Sequence, residues 1–145
     1  MAYFYAWFSD PELTQLSATK IHQRVLEKFD VRISMGSNER LMVISGHDIT
    51  ISAITTTLGL NSWQCLNESY FNPLVNETNC PRKPVFATHI HYELHHTAEA
   101  GHFVKFFHNG LQFDICGDKT AKDTGADCPL DDFRSLMDEV ILTSD

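Results

Sequence analysis

Positive charge is scarce in this sequence. Its 145 residues include 11 lysines and arginines against 19 aspartates and glutamates, which gives a formal net charge of −8. Proteins that bind nucleic acid neutralise phosphates with clusters of lysine and arginine, and no such cluster occurs here. We therefore exclude nucleic acid as a partner. The hydrophobic fraction of 43% is that of a globular chain, and the length suits a single domain over residues 1–145.

Long hydrophobic runs are also missing. No apolar stretch reaches the roughly 20 residues that a transmembrane helix needs, so we expect no membrane segment. The N-terminal sequence MAYFYAWFSDPEL is apolar and aromatic, but it lacks a basic region, and Asp10 and Pro11 interrupt it early. This is not the pattern of a signal peptide. We predict instead a buried strand or anchor that precedes a helix.

The cysteines exclude one kind of metal site and indicate a compartment. No Cys-x-x-Cys pair occurs, which argues against structural zinc. The four cysteines, which can pair in three ways, are Cys65, Cys80, Cys116 and Cys128. Residues 61–84 are predicted as a long loop, which a Cys65–Cys80 bridge would staple, and glycosylation sequons begin within it at Asn67 and Asn76. This pattern favours the secretory pathway, extracellular or lysosomal. Because the sequence does not open on a signal peptide, we expect it to be a piece of a longer protein.

Hydrophobic periodicity predicts three helices. The first covers residues 11–29, with Asp10 as its N-cap and Pro11 at its first position. A second helix is predicted over residues 49–58, ending at Gly59, and a third begins at Pro129. The apolar positions expected to face the core are Leu13, Leu16, Ile21, Val25, Leu26 and Phe29 in the first helix, and Leu130, Phe133, Leu136, Met137 and Ile141 in the last.

Two kinds of strand are predicted. Residues 41–45 are apolar without alternation, which indicates a strand buried on both faces of a parallel sheet. Alternating patterns predict strands over residues 86–94 and 102–107, joined as a hairpin by residues 95–101. An Asn-Gly turn then leads into a third short strand, LQFDI. The predicted class is α/β, a central sheet with flanking helices and a C-terminal β-hairpin.

The stretch LMVISGHDIT, residues 41–50, carries the strongest indication of chemistry. Ligands of open α/β sheets bind beyond the carboxyl ends of the strands, where His47 and Asp48 would lie. The N–H groups that open the following helix favour an anion there. A histidine can bind a phosphoryl oxygen and an aspartate can donate a proton, so the pair forms half of a phosphoryl-transfer site. The plain alternative is that Asp48 is a helix cap and His47 a packed loop residue.

Four segments, in the same order, resemble the histidine acid phosphatases. LMVISGHDITISAITTTLGL is similar to the family's His-Asp segment, where a strand ends in small residues, His and Asp and runs into a helix ending Leu-Gly-Leu. FATHIHYEL resembles the family's strand with the pattern Ala-Ser-x-x-x-x-Glu-Leu. HFVKFFHNG resembles its strand and Asn-Gly turn, and CPLDDFRSLM resembles its closing Cys-Pro-Leu-x-x-Phe helix. With the preceding amphipathic helix, the resemblance covers residues 11–142.

The resemblance implies a phosphoglycerate-mutase-like fold and acid phosphatase activity on phosphate monoesters. It assigns Asp48 as the proton donor to the leaving alcohol and His47 as a ligand of the phosphoryl group. It implies no metal or other cofactor, because the family works through a phosphohistidine. It also implies a disulfide between Cys116 and Cys128, whereas the segment between the other two cysteines looks like an insertion.

The family's nucleophile is missing from this sequence. The histidine that becomes phosphorylated lies in an Arg-His-Gly-x-Arg-x-Pro motif, and no arginine here precedes His-Gly. His22, predicted on a surface helix, and His108, which precedes a turn, do not fit the motif either. The sequence thus resembles the C-terminal part of the family's domain. We expect the chain alone to be inactive, to leave apolar faces of residues 41–45 open, and to need the other half or a second copy of itself.

Three other interpretations stay open. The chain is a non-catalytic, secreted phosphatase-like glycoprotein or a module that binds a phosphorylated ligand, or it is a truncated sequence with no independent existence. The histidines of the predicted hairpin, His89, His91, His95 and His96, also suggest a metal site, because His89 and His91 would lie on one face of a strand. The plain alternative for these four is a half-exposed, histidine-rich hairpin.

Overall fold

The structure is a computed structural model that describes residues 9–71, 84–117 and 125–143. Its helices are α1 (Pro11–Met35), α2 (Asp48–Thr57), α3 (Trp63–Phe71) and α4 (Leu130–Val140). Its strands are β1 (Ile90–Thr97), β2 (Gly101–His108), β3 (Leu111–Phe113) and β4 (Cys128–Pro129). The predicted N-terminal strand or anchor, Asn76 and Cys80 lie outside the described residues.

Strand β2 is the centre of an antiparallel sheet. β1 pairs with it along its whole length, from Ile90 opposite His108 to Thr97 opposite Gly101. On its other edge, β2 pairs with β3 and β4. The predicted hairpin is confirmed, with a tighter turn than expected, because the polar pair His95-His96 continues β1 beyond the edge of the core. The Asn-Gly turn is confirmed as well, since Asn109 and Gly110 have φ values of 50° and 81°.

Helix α1 begins at its predicted cap. The Asp10 Oδ1 accepts hydrogen bonds from the Glu12 and Leu13 amides at 3.0 and 3.3 Å, and Pro11 occupies the first turn. The helix runs to Met35, six residues further than the apolar pattern predicted, and ends at Gly36 with φ 63°. The predicted start is therefore right and the predicted end is too early.

The buried face of α1 differs from the prediction. Ala18, His22 and Val25 are buried, whereas Leu16, predicted to face the core, is 60% exposed. Residues three and four apart share one face of a helix, so the buried face follows the small and polar residues at 18 and 22. Small side chains on this face allow α2 and α4 to pack closely against α1.

Helix α4 joins α1 to the sheet. Its predicted inward residues Phe133, Leu136 and Met137 are buried, which confirms the pattern. Phe133 contacts Phe29 of α1 at 5.8 Å between ring centroids and Tyr92 of β1 at 6.1 Å. The core thus lies between the two helices and one face of the sheet.

Tyr92 buries a hydroxyl group that has no hydrogen-bond partner, and burial raises its pKa. Its ring packs edge-on against Phe106 at 5.0 Å. We expect Tyr92→Phe to keep this packing and to raise the free energy of unfolding by up to about 1 kcal/mol, because it removes an unsatisfied polar group. Urea denaturation measures the change, with Tyr92→Ala as the variant that loses the packing. A loss of stability in Tyr92→Phe would show that the hydroxyl has a partner.

Residues 41–45 do not form the predicted buried strand. The segment between α1 and α2 has no regular structure, and Leu41, Val43 and Ile44 are 77%, 80% and 46% exposed. A strand buried on both faces needs neighbours on both edges, and no strand of the described sheet pairs with this segment. The predicted parallel central sheet is therefore wrong for the described residues. The α/β arrangement itself, with helices flanking a sheet, is confirmed.

The predicted long loop contains a helix. α3 covers Trp63–Phe71, and the Ser62 hydroxyl caps it by accepting a hydrogen bond from the Cys65 amide at 3.1 Å. Leu66, one turn into the helix, is fully buried. The prediction of a loop is therefore wrong for residues 63–71, which form a helix capped by Ser62. Asn67, the first sequon, falls within α3.

The disulfide between Cys116 and Cys128 is present. It links the segment after β3 to the start of α4. Cys65 is disulfide-bonded as well, while its predicted partner lies outside the described residues. None of the described helices is long and apolar enough to cross a membrane.

Candidate functional site

His47 and Asp48 lie where α2 begins, close to the predicted boundary. His47 is the N-cap residue, and its carbonyl accepts hydrogen bonds from Thr50 and Ile51 at 3.0 and 3.4 Å. The Asp48 Oδ1 accepts one from the Ile49 amide at 2.9 Å. Both side chains are exposed at the positive end of the helix dipole. The pair is therefore open to a ligand from solvent.

Gly46 allows the chain to enter α2 at this angle. A Cβ atom on Gly46 would lie 3.2 Å from the Thr50 side chain, which is tighter than ordinary contact. A larger residue would push the incoming chain away from the first turn of α2. The position of His47 relative to the helix therefore depends on the glycine before it.

The other end of α2 is closed by polar groups. The Thr55 carbonyl accepts hydrogen bonds from Leu60 and Asn61 at 2.8 and 3.1 Å, and the Asn61 amide group donates to the Thr55 hydroxyl at 2.8 Å. Gly59 follows the helix with φ 71°, which confirms the predicted stop. Threonines are poor helix formers, and the hydroxyls of Thr55 and Thr57 donate to the Ile51 and Ile54 carbonyls of the same helix, each at 3.0 Å, whereas the buried Thr56 hydroxyl has no partner among the described residues.

His22 fixes α2 to α1, and the prediction that it lies on a surface was wrong. It is fully buried, and its Nε2 lies 2.9 Å from the Thr57 hydroxyl. That hydroxyl donates to the Ile54 carbonyl at 3.0 Å, so it accepts from His22 Nε2–H. His22 Nδ1 has no partner, and burial lowers the pKa of His22 from 6.5 to about 4. His22 is therefore neutral at pH 7 and acts as a structural hydrogen-bond donor.

A sequence signal for His22 did exist. Residues 18, 22, 25 and 29 follow the spacing of one helix face, and His22 is the polar member of that series. Its burial has a consequence for the site, because α2 carries His47 and Asp48 at its first turn. By holding the end of α2 against α1, His22 positions the helix on which the pair lies.

The anion site predicted at the start of α2 is mostly occupied by the chain itself. The amides of Ile49, Thr50 and Ile51 already have acceptors, the first in the Asp48 carboxylate and the other two in the His47 carbonyl. Asp48 also places a negative charge where the anion was expected. The described residues therefore present a carboxylate and an imidazole, and a phosphate would need further positive charge from outside them.

The hairpin histidines do not gather into the predicted metal site. His89 and His91 stack on each other, with ring centroids 4.9 Å apart. His95 stacks on Phe103 and lies 2.9 Å from the Glu93 carboxylate, while His96 points to the opposite face of the sheet. Among the described residues, no group of three or more histidine, cysteine or acidic side chains is placed to hold a metal ion. The half-exposed, histidine-rich hairpin describes these residues better.

Comparison with known proteins gives one distant relationship. The chain is 27% identical over 121 residues to 2-phosphoxylose phosphatase 1 of Xenopus tropicalis, in an alignment that covers 79% of this chain and 21% of that protein. The chain thus spans about a fifth of the length of this relative. No family model matches the chain, and no solved structure matches it. Because the aligned span covers 79% of the 145 residues, it includes the middle of the chain, and residues 47 and 48 lie within it.

Proposed function

We propose, from the distant relationship to a phosphatase, that this chain is the acid-donor part of a histidine phosphatase that acts on phosphate monoesters. In this proposal Asp48 is the proton donor and His47 a phosphate ligand. Residues 1–145 form the C-terminal portion of one phosphoglycerate-mutase-like domain of a protein in the secretory pathway, with glycans on Asn67 and Asn76. No cofactor takes part.

The observation that carries the proposal is the state of His47. Its imidazole is exposed, and within the described part of the chain it makes no hydrogen bond, ion pair or ring contact. A histidine kept only for packing would be buried or partnered, so the packed-loop alternative does not fit. Asp48 accepts the Ile49 amide hydrogen bond through Oδ1, which leaves Oδ2 to carry the proton that the leaving oxygen would receive. The two side chains belong to consecutive residues at one helix start.

The proposed chemistry divides between this chain and a missing nucleophile. A histidine supplied from elsewhere attacks phosphorus, and the bond between phosphorus and the alcohol oxygen breaks. The protonated carboxyl group of Asp48 gives its proton to that oxygen, so the alcohol leaves neutral. The resulting carboxylate then takes a proton from the water that hydrolyses the phosphohistidine, which restores the acid. Throughout, His47 donates a hydrogen bond to a phosphoryl oxygen.

The chain by itself lacks two parts of this site. The sequence has no Arg-His-Gly segment, so no nucleophilic histidine is paired with phosphate-binding arginines. Without a nucleophile, Asp48 has no leaving group to protonate. We expect the purified chain to show no turnover of p-nitrophenyl phosphate or of a xylose 2-phosphate ester. The second ester is chosen from the name of the relative.

Phosphate binding tests the part of the proposal that does not need turnover. We expect inorganic phosphate, titrated at pH 6 and followed by NMR, to shift the amide signals of residues 46–50. His47→Ala should weaken this binding roughly tenfold, the effect of one charge-assisted hydrogen bond. His91→Ala, which removes another exposed histidine, should leave it unchanged.

Three outcomes would contradict the proposal. If phosphate does not perturb residues 46–50, or if His47→Ala binds as the natural chain does, His47 is no phosphate ligand. Turnover by the purified chain would show instead that the site is complete without a second half.

A phospho-ligand-binding module without catalysis is the second candidate, and it rests on the same exposed pair without a nucleophile. The two candidates differ at Asp48. A binding module should bind phosphate at least as well after Asp48→Asn, because a negative charge is removed. A catalytic part should lose turnover in the same variant once it is combined with a polypeptide that carries the nucleophilic histidine.

A further inference from the structure

Two histidines face each other across the turn end of the β1–β2 hairpin. His96 and His102 are directly opposed in the register, and their ring centroids lie 4.5 Å apart at an angle of 51°. Neither ring has a hydrogen bond or an ion pair within the described residues, and His96 is exposed. Two imidazole rings this close, without other hydrogen-bond or ion-pair partners among the described residues, have the arrangement of a chelating pair.

The spacing suits coordination of one metal ion by both rings. With metal–nitrogen bonds of about 2.0 Å and a nitrogen–metal–nitrogen angle of about 90°, two imidazole centroids lie roughly 4.5 Å apart. Directly opposed residues of an antiparallel pair have their Cβ atoms about 5 Å apart, so the backbone already holds the two rings together. No strand movement is needed to bring both nitrogens to one ion.

We propose that His96 and His102 form a two-histidine site for a divalent first-row transition metal, with water in the remaining positions. Imidazole suits Cu²⁺, Ni²⁺ and Zn²⁺, and the general affinity order places Cu²⁺ first. The formal net charge of −8 favours accumulation of cations around the chain. The site is separate from His47 and Asp48 and does not depend on the proposed phosphatase function.

The other histidines of the hairpin are less suited to chelation. His89 Nδ1 lies 3.1 Å from the Ala87 carbonyl, and His95 Nε2 lies 2.9 Å from the Glu93 carboxylate. His108 is buried. These contacts compete with a metal for the ring nitrogens or block its approach. His91 is exposed on the opposite face of β1 from His96, which makes it the matched control.

Bound metal would link the two strands next to their turn. The link would join residues 96 and 102. Metal that binds the folded hairpin more tightly than the unfolded chain would raise the free energy of unfolding. Thermal unfolding therefore gives a readout that is independent of spectroscopy.

The test is titration of the whole chain with CuCl₂ at pH 7.4, followed by calorimetry and by electron paramagnetic resonance. We expect one tight equivalent, a spectrum with two coordinated nitrogens, and a rise in melting temperature. His96→Ala and His102→Ala should each weaken binding at least tenfold, because each leaves a single ligand without a neighbour held at the same site. His91→Ala should bind copper as the natural chain does.

Three results would overturn the site. They are equal weakening by His91→Ala, a spectrum unchanged in His102→Ala, and a melting temperature that copper does not raise in the natural chain. Unfolding of each variant without metal shows whether it is folded. His96→Gln, which keeps a polar side chain of similar length, replaces His96→Ala if the latter unfolds.

Discussion

Acidification from pH 7 to pH 4 is expected to lower the free energy of unfolding by roughly 3 kcal/mol through His22 alone. The pKa of His22 is about 4 in the folded chain, against 6.5 as its ordinary value. Between these values the unfolded chain binds a proton that the folded chain excludes, so stability falls as the pH falls. The contribution is fully present above pH 6.5 and is lost progressively down to about pH 4.

The structural reason is that no hydrogen-bond acceptor among the described residues lies near the ring nitrogen of His22 that acidification would protonate. Nε2–H already donates to the Thr57 hydroxyl, and Nδ1 is buried without a partner. Protonation would bury both a charge and an unpaired N–H group. His108 adds a smaller effect of the same sign, because burial, and then the charge of His89, lower its pKa.

His22→Gln is the variant that isolates this effect. A glutamine amide can still donate to the Thr57 hydroxyl but does not ionise. Urea denaturation of both chains between pH 4 and pH 7 should show a steeper fall for the natural chain, with most of the difference appearing below pH 6.5. Parallel curves would mean that His22 takes up a proton as readily in the folded chain as in the unfolded chain. Titration of the His22 ring signals by NMR checks the pKa directly.

Removing the disulfide between Cys116 and Cys128 is expected to cost about 3 kcal/mol. The bridge closes a short loop, because its cysteines are 12 positions apart in the sequence, and so limits the freedom of the unfolded chain. It also fixes the start of α4, because Cys128 is buried and pairs in β4 with Val104 of β2. Without it, only the short pairing of β4 with β2 and the packing of α4 would hold this end of the chain against the sheet.

The double variant Cys116→Ala/Cys128→Ala measures this cost by urea denaturation. The matched control is Cys65→Ala/Cys80→Ala, which removes the other predicted bridge and leaves α4 attached. We expect Cys116→Ala/Cys128→Ala to weaken the contact between Phe133 and Phe29. The Cys65→Ala/Cys80→Ala variant should leave that contact intact. A change of less than about 1 kcal/mol in the first variant would mean that α4 is held by packing alone.

The parts of the fold that the sequence predicted are those with local causes. The cap at Asp10, the stop at Gly59 and the turn at Asn109 each depend on a few neighbouring residues, and all three are found. The alternation that predicted the hairpin is local too. The start of α2 at the His-Asp pair belongs to the same class, which is why the location of the candidate site was predictable.

The parts that the sequence did not predict depend on distant residues. Residues 41–45 have the composition of a buried strand, but composition does not supply the neighbouring strands that burial requires. His22 is predicted on a surface helix, but its burial depends on Thr57, 35 positions away in the sequence. The His96–His102 pair also became visible only with the strand register.

The exposed segment before α2 has a consequence for the conformational entropy of the site. No hydrogen bond joins residues 40–46 to the rest of the described chain, so only α2 restrains His47, from one side. Ordering a backbone residue costs about 1–2 kcal/mol, and in a sheet that cost is met during folding. Here the backbone before His47 is not ordered by a sheet, so a ligand that needs His47 in one position must order it on binding, and the entropy cost lowers its affinity. A strand that docked along residues 41–45 would therefore strengthen phosphate binding without touching the phosphate.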